Sequence, residues 1–417
     1  MLNPEYFNDK ADRLIEIYQQ LADYMMKDAA MRMLKSGEMS GTADRLIWKL
    51  EQMGEHKTAI FQKLQELTGL GEKELKSLLQ DAVLTSWDEE YTTMKEVGIT
   101  LSNPLTNPAV ISVMDAEFKK SRGELRNLTL TTMNKSQKDL IDMLDEVEMR
   151  VAIGVQSYSS AVCDVLDRYA GKGIEVEYPT GTKRSLEAAV RMCVVTSMNQ
   201  TAAQVTNQYI LEADSEYVLV SAHLGARTQQ KGQPELAGHA NWQGKVYKIE
   251  GSAPGYPNLE EATGYRIDKK TGEGTVVNPL GLHGYNCRHS HKLWDLRFKN
   301  PYLDENGNLK IDDRENETSY ILSQKQRTLE RNIRKVKRQL LIKKTQIDNI
   351  AETDVKSILQ MEYDQMAYEL RLKNKAYNEF CDANNLQKQY DRIKVSGFNR
   401  KQSSIANGAA TRYENET

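Results

Sequence analysis

Apolar side chains that recur every three or four residues constrain the fold of this chain more than any other feature. In ADRLIEIYQQLADYMM, residues 11–26, these positions fall along one face of a helix. The same pattern returns in TGLGEKELKSLLQDAVL, residues 68–84, and again across residues 109–170. Asn103-Pro104 and Asn107-Pro108 interrupt it, because a residue before proline is pushed out of the helical region. Long amphipathic helices with a break near residue 105 are therefore predicted.

Short β-type segments replace the helical pattern further along the chain. GIEVEYPTGTKRSL, residues 173–186, alternates polar and apolar positions around a turn and predicts a small hairpin before a helix at 185–212. YVLVSAH, residues 217–223, and GKVYKI, residues 244–249, are rich in β-branched and aromatic side chains. YRIDKKTGEGTVV, residues 265–277, predicts two more short strands around a glycine turn.

Helical periodicity resumes near the C-terminal end. LDENGNLKIDD, residues 303–313, predicts a tight turn that leads into a helical segment at about 319–382. Its apolar positions step by three, four or seven residues and form a heptad-like seam. Acidic and capping residues at 351–354 permit a second helix to start there, so a single rod and a helical hairpin both remain open. Few apolar residues follow Gly397, which predicts a flexible tail.

These patterns together predict a predominantly helical α+β protein. It would have an elongated N-terminal helical region, a small α+β module with short antiparallel strands, and a long C-terminal helix or helical hairpin. The expected segments are an N-terminal helical region at 1–106, a second helical block with a small hairpin at 107–214, the α+β module at 215–300, a basic helical or coiled-coil segment at 301–396, and the flexible tail at 397–417.

Composition narrows the classes of function. The net charge of −3 provides no global field that would attract nucleic acid, so any such contact has to be local. No segment approaches the roughly 20 apolar residues that span a bilayer, and no apolar run follows a basic start, so we expect no membrane contact and synthesis in the cytoplasm. The four cysteines are far apart and predict buried thiols rather than disulfides.

The segment GLHGYNCRHSH, residues 281–291, holds one cysteine and three histidines. Cys287 and His289 are two residues apart, so they would face the same side of an extended segment, and His223, His239 or His283 would complete a four-ligand zinc site. The knuckle spacings of structural zinc sites are missing, however. We therefore prefer a structural interpretation, in which histidine and arginine side chains hydrogen-bond to the backbone of a small module, and keep zinc as the second one.

A catalytic interpretation uses some of the same residues. His223, Arg227, His239 and Lys245 would together provide a general acid, a general base and a phosphate contact for a metal-independent nuclease. That chemistry needs two of these groups to converge on one substrate atom, which the sequence does not establish.

The C-terminal helical segment carries a strongly basic stretch. Between Lys325 and Lys344 there are nine positive charges against Glu330 alone. On a helix they would flank the apolar seam, where they would contact DNA phosphates or an acidic partner, or simply form the solvated face of a coiled coil. The residues assigned to a nucleic-acid or partner contact are Arg327, Arg331, Arg334, Lys335, Lys337 and Arg338.

Three separated motifs occur in an order that resembles the phage minor capsid protein family, which is related to the Mu-F-type head morphogenesis proteins. They are SAHLGARTQQKGQPELAGHANWQGKVYKIEG, GLHGYNCRHSHKLW and QKQRTLERNIRKVKRQL. The resemblance covers residues 150–345 well and the N-terminal helices weakly. The family-motif residues that it identifies are His223, Arg227, His239, Trp242, Gln243, Gly244, Cys287, Arg288 and His289. The motif Cys-Arg-His stands where the wider group often has Cys-Arg-Cys, which leaves Cys287 and His289 as a mixed ligand pair.

This resemblance implies a low-copy virion component that binds at the portal vertex during head assembly and DNA packaging, inside the capsid and made in the host cytoplasm. The implied partners are the portal protein, the major capsid or scaffolding protein, and packaged DNA. It implies no enzyme and no cofactor, with zinc as the lesser possibility. Two alternatives remain: a capsid-carried nuclease-like effector that uses His223 and His239, and a DNA-binding internal head protein.

Overall fold

The computed structural model describes residues 2, 4–35, 42–154, 156–178 and 180–417. Pro179 of the predicted hairpin turn lies outside them. None of the described helices is long and apolar enough to cross a bilayer. The helices are α1 (Pro4–Lys35), α2 (Thr42–Lys95), α3 (Pro108–Ala152), α4 (Tyr158–Lys172), α5 (Leu186–Glu212), α6 (Leu259–Thr263), α7 (Asp313–Asn349), α8 (Thr353–Ala383) and α9 (Arg400–Glu416).

The predominantly helical α+β class is confirmed, and the helix boundaries have local causes. α2 ends at Lys95 and α3 begins at Pro108, so the chain breaks at the Asn-Pro pairs. Asn107 caps α3, because its side-chain oxygen accepts hydrogen bonds from the backbone N–H groups of Ala109 and Val110 at 2.9 and 3.3 Å. α4 ends at Lys172 and is followed by Gly173, whose φ of +73° suits glycine.

All the strands in the described part of the chain are short and pair antiparallel. They are β1 (Glu175–Glu177), β2 (Lys183–Ser185), β3 (Tyr217–Val220), β4 (Val246–Lys248), β5 (Tyr265–Ile267), β6 (Gly274–Val276) and β7 (His291–Trp294). β1 pairs with β2 and β5 with β6, as hairpins, and the remaining three strands form a sheet in the order β4-β3-β7. The strands predicted at 217–223, 244–249 and 265–277 are confirmed.

The chain forms two compact units, each assembled from three separate stretches. One, the sheet unit, comprises Met1–Leu14, Glu72–Leu125 and Val190–Gln324. Its core joins α5 to the three-stranded sheet through buried side chains such as Tyr209, Val218 and Leu293. α5 is surrounded in this unit, because both apolar and polar side chains are buried on most of its faces. The division of the chain into contiguous segments at residues 106, 214, 300 and 396, which we expect from the sequence, stays a prediction.

The second unit, the hairpin unit, comprises Ile15–Gly71, Arg126–Ala189 and Lys325–Thr417. α7 and α8 lie antiparallel in it, because Lys343 contacts Glu362 at 2.7 Å while Gln326 donates to the Tyr377 hydroxyl at 3.5 Å. Of the two arrangements left open for this segment, the hairpin is therefore the one that forms. Its seam buries Ile333, Val336, Leu340, Ile347, Leu359, Tyr363 and Leu370.

The C-terminal residues correct one expectation. A flexible tail is predicted after Gly397, but α9 forms at Arg400–Glu416 and packs against α8. Asn399 caps the helix by accepting from two backbone N–H groups. The buried residues of α9 are Ala406, Ala409 and Ala410. Their small side chains let the two helices approach closely, but alanine is a weak sequence signal of a buried helix face.

Candidate functional site

Five histidines of the sheet unit gather around two connections of the three-stranded sheet. His223 follows β3, and His239 lies in a short 3₁₀ turn before β4. His283, Cys287 and His289 belong to the loop between β6 and β7, and His291 begins β7. They separate into two groups. We call His223, His239, Cys287 and His289 the His–Cys cluster, and the other group the His283–His291 pair.

Two histidines of the His–Cys cluster have their tautomers fixed by acceptors that cannot donate. His239 Nε2 lies 2.9 Å from the carbonyl oxygen of Leu280, so Nε2 carries the proton. His289 Nε2 lies 3.2 Å from Gln243 Oε1. The same Gln243 oxygen accepts from the backbone N–H of His223 at 3.0 Å, which fixes the orientation of the amide. Both His239 and His289 therefore keep a free lone pair on Nδ1.

His223 presents the opposite ring nitrogen. Its Nδ1 donates to the carbonyl oxygen of Leu224 at 3.1 Å. Its Nε2 is buried and has no hydrogen-bond partner among the described residues. The ring stacks on that of His289, with centroids 4.2 Å apart and an angle of 25° between the planes. A buried polar atom without a partner is uncommon, because it keeps its desolvation cost without compensation.

Cys287 completes the cluster. Its side chain is fully buried, and Sγ lies 3.9 Å from His289 Nδ1. One potential ligand atom each from His239, Cys287 and His289 can be chosen so that all three lie within 4.8 Å of one another. The four cysteines of the chain are all described, and all are free thiols.

Burial controls the charge of the cluster. Desolvation lowers the pKa of His223 to about 4 and that of His239 to about 3, and it lowers the pKa of His289 well below its usual value. Desolvation also raises the pKa of Cys287 to about 11, against a smaller opposing effect of backbone hydrogen bonds at His289 and His283. At neutral pH the three imidazoles and the thiol of the cluster are therefore uncharged.

The His283–His291 pair is connected to α5 instead. His283 Nε2 lies 2.7 Å from His291 Nδ1, and His283 Nδ1 lies 3.0 Å from Asn199 Oδ1. His291 Nε2 lies next to the amide of Asn207, which also contacts the Tyr265 hydroxyl. Since His283 donates to Asn199, His291 must donate to His283 and accept at Nε2. If the Asn207 amide is flipped by 180°, its nitrogen donates to His291 Nε2 and its oxygen accepts from the Tyr265 hydroxyl. Every group of this hydrogen-bond network then has a partner, and no charge is buried.

Amide side chains of α5 hold the loop that carries Cys287, and the sequence analysis did not identify them. Asn199 Nδ2 donates to the carbonyl oxygens of Cys287 and His289 at 2.9 and 3.0 Å. Gln200 donates to the carbonyl of His283 at 2.9 Å. The sequence signal that could have identified them is the presence of Asn and Gln side chains among the apolar residues of this helix.

The remaining family-motif residues surround the same loop. Arg227 donates to the carbonyl oxygens of Leu280 and Tyr285, at 3.4 and 2.8 Å. Trp242 is buried, donates to the carbonyl of Leu236 at 2.8 Å and lies edge-on to His289. Arg288 is half-buried, and its charge contributes, after desolvation, to the lowered pKa of His223.

Gly244 is required by two features of its position. Its φ of +71° is a backbone conformation that side chains disfavour, and a Cβ atom there would lie 2.5 Å from Leu309 Cδ1. The structure thus brings all nine family-motif residues into one neighbourhood.

This neighbourhood is poorly suited to general acid–base catalysis. His239 and His289 are only 2% and 1% exposed, and both use Nε2 in internal hydrogen bonds. Lys245 donates to the carbonyl of Asn241 at 2.8 Å. A substrate would have to displace these bonds before a proton could be transferred to it. The arrangement fits the stabilisation of a loop, or the binding of a small buried ion.

The basic stretch of α7 is used largely within the hairpin unit. Glu187 contacts Arg334 Nε at 2.9 Å and Arg338 Nη1 at 3.4 Å. Lys337 donates to the carbonyl of Ile393 at 2.7 Å. Arg327 is half-buried. The positions of this stretch that face solvent are Lys325, Arg331 and Lys335.

Comparison with known proteins gives one positive finding. A family model described as phage minor capsid protein 2 matches residues 2–382. No curated protein and no solved structure gives a significant match.

Proposed function

The chain belongs to the phage minor capsid protein 2 family, which makes it a structural component of the virion, and from this premise we propose that it acts at the portal vertex. In this role it is a low-copy protein that binds the portal protein during head assembly and DNA packaging, and lies inside the capsid. It works by binding, without turnover.

The exposed apolar row on α8 is the observation that carries this proposal. Ile358, Met361 and Leu372 are 56%, 70% and 47% exposed, and their spacing of three and eleven residues keeps them on one side of the helix. Apolar side chains aligned on a long helix are typical of surfaces that bind another protein. The buried state of the His–Cys cluster supports an assembly role over an enzymatic one.

Co-purification with the portal protein encoded beside it tests the proposal. Tagged full-length chain should capture portal protein in a fixed ratio. The double variant Ile358→Glu/Met361→Glu should lose that capture, since it places two charges on the apolar row. Lys356→Glu, an exposed change on the same helix, should keep it.

Circular dichroism of each variant checks that the helices remain folded. Wild-type protein that fails to capture portal protein, in purified form and from assembling heads, contradicts the proposed role. Degradation of RNA or DNA by the wild type, abolished in a folded His223→Ala or His239→Ala variant, would favour the nuclease-like effector instead.

A further inference from the structure

We propose that the His–Cys cluster binds one zinc ion through His239 Nδ1, His289 Nδ1 and Cys287 Sγ. The fourth coordination position is taken by a water molecule that donates a hydrogen bond to His223 Nε2. This site is separate from the proposed portal contact and does not rest on it.

The distances between the donor atoms fit this assignment. Zinc bonds of about 2.0–2.1 Å to nitrogen and 2.3 Å to sulfur place tetrahedral ligand atoms roughly 3.3–3.6 Å apart. One ligand atom from each of the three side chains can be chosen so that all lie within 4.8 Å of one another, and Cys287 Sγ is already 3.9 Å from His289 Nδ1. Zinc binding therefore requires side-chain rotations that shorten these separations to bonding distance.

The hydrogen bonds on the far side of each ring are those of a metal-binding histidine. A zinc-bound imidazole normally donates its other N–H to a carboxylate, a backbone carbonyl or a water molecule, which fixes the tautomer and the ring orientation. His239 does so to the carbonyl of Leu280, and His289 to Gln243 Oε1. Gln243 is held in turn by the backbone N–H of His223. Both Nδ1 lone pairs are therefore oriented before any ion arrives.

His223 has a different role because of its stacking. Its ring is nearly parallel to that of His289, so the in-plane lone pairs of the two rings do not converge on one ion without a rotation of His223. Its buried Nε2, without a partner in the described part of the chain, is instead an acceptor. A zinc-bound water supplies the hydrogen bond that this atom lacks.

The donor set selects the kind of ion. Two imidazoles and a thiolate are ligands for zinc or another borderline metal, whereas magnesium and calcium prefer oxygen. Binding replaces the thiol proton of Cys287, which is released to solvent, and forms the zinc–sulfur bond. The neutral histidines bind without releasing protons.

Metal content and cobalt spectroscopy of the full-length protein test this proposal. Protein purified under reducing conditions, on a tag without histidines, should contain about one zinc per chain by elemental analysis that also measures copper, iron and nickel. Cobalt(II) exchanged into the site should show a thiolate-to-cobalt charge-transfer band. Cys287→Ser and His239→Gln should lose the zinc, and Cys287→Ser should lose the band. Cys193→Ser, a matched thiol removal in the same unit, should keep both.

A positioning variant separates a metal role from a purely structural one. Gln243→Met removes the acceptor for His289 without removing a ligand, and should weaken zinc binding about 10–100-fold. Wild-type protein that holds no stoichiometric metal after incubation with zinc and desalting, or that shows no charge-transfer band with cobalt, overturns the proposal. The zinc content and the cobalt band are both measured on the wild-type protein, so they test the proposal even if a variant fails to fold. Cys287→Ser that keeps the wild-type zinc content overturns it as well.

Discussion

Arg412 on α9 forms a two-pronged ion pair with Asp364 on α8, with Nε and Nη2 at 2.9 and 2.8 Å from the two carboxylate oxygens. Asp364 is largely buried, while Arg412 is about half exposed. The pair attaches the C-terminal helix to the hairpin, together with the alanine contact between the helices.

Removing this attachment should loosen α9. Because Arg412 is partly solvated, Arg412→Ala should cost about 1 kcal/mol of stability, and α9 should become an early site of proteolysis. Limited proteolysis followed by mass spectrometry measures this. The exposed change Lys401→Ala on the same helix should have no effect, and equal cleavage of wild type and both variants would argue against a docked α9.

Glu90 should make the sheet unit sensitive to pH. Desolvation raises the pKa of this buried carboxyl to about 7, against opposing effects of Thr206, Lys292 and Ser86. The folded state then holds a proton that the unfolded state has already lost above about pH 4.5. The contribution of protonated Glu90 to the free energy of unfolding is complete below about pH 4.5 and is lost as the pH rises through about 7.

The variant Glu90→Gln should remove this dependence while its amide oxygen still accepts from Thr206. We expect the urea midpoints of wild type and variant to be closest near pH 5, to diverge as the pH rises to about 7, and to keep a constant difference above it. There the variant should be more stable by up to about 3 kcal/mol. A difference that is already constant from about pH 5 to about pH 7 would show that Glu90 stays ionised in the folded protein.

Asn199 should be among the most sensitive polar positions of the sheet unit. Asn199→Leu leaves the carbonyls of Cys287 and His289 and the ring N–H of His283 without their partner. Since each buried group carries a desolvation cost, we expect a loss of at least about 2 kcal/mol in chemical denaturation. Gln208→Ala, which removes one weaker bond of the same helix at 3.3 Å, serves as the comparison and should cost clearly less.

Alanine variants of two glycines in the sheet unit should distinguish the cost of backbone strain from the cost of steric crowding. Gly244 and Gly307 both have φ near +70 to +80°, but a Cβ atom would meet other atoms within 4 Å only at Gly244. Gly307→Ala should cost about 1 kcal/mol from its backbone conformation. Gly244→Ala should cost about 1–3 kcal/mol more, because Leu309 must move. Equal midpoints for the two variants in thermal unfolding would refute the crowding at Gly244.

Contact with packaged DNA, if it occurs through α7, should depend on the side chains that face solvent. Changing Lys325, Arg331 and Lys335 to Gln should weaken DNA binding and reduce its salt dependence, with little change in stability. Arg338→Gln should mainly destabilise the hairpin unit, because it takes a cation from the largely buried Glu187. Salt-independent binding, or binding unchanged by the triple substitution, would exclude this surface of α7.

Local signals were sufficient for most of the fold. The Asn-Pro pairs predicted the break before α3, and the glycine turn at 271–274 predicted the β5–β6 hairpin. The prediction failed at α9, where the buried face is built from alanines whose burial depends on a neighbouring helix. No periodicity in the sequence reports how close two helices approach.

The His–Cys cluster was only partly predictable for a similar reason. The spacing of Cys287 and His289 indicated that they face the same side, and the two side chains do lie together. Which of the other histidines joins them depends on tertiary contacts. His283 turns toward Asn199, whereas His239 comes from a separate loop more than 40 residues earlier in the chain.

The division of each unit into three separate stretches has a consequence for synthesis on the ribosome. The sheet unit pairs its β3 with β7 and includes residues up to Gln324, so its fold cannot close until most of the chain has emerged. The hairpin unit waits for α9 in the same way. We therefore expect both units to close late in synthesis and to fold slowly, with apolar helix faces uncovered in the nascent chain. Chaperones that shield these faces should therefore raise the yield of the folded protein.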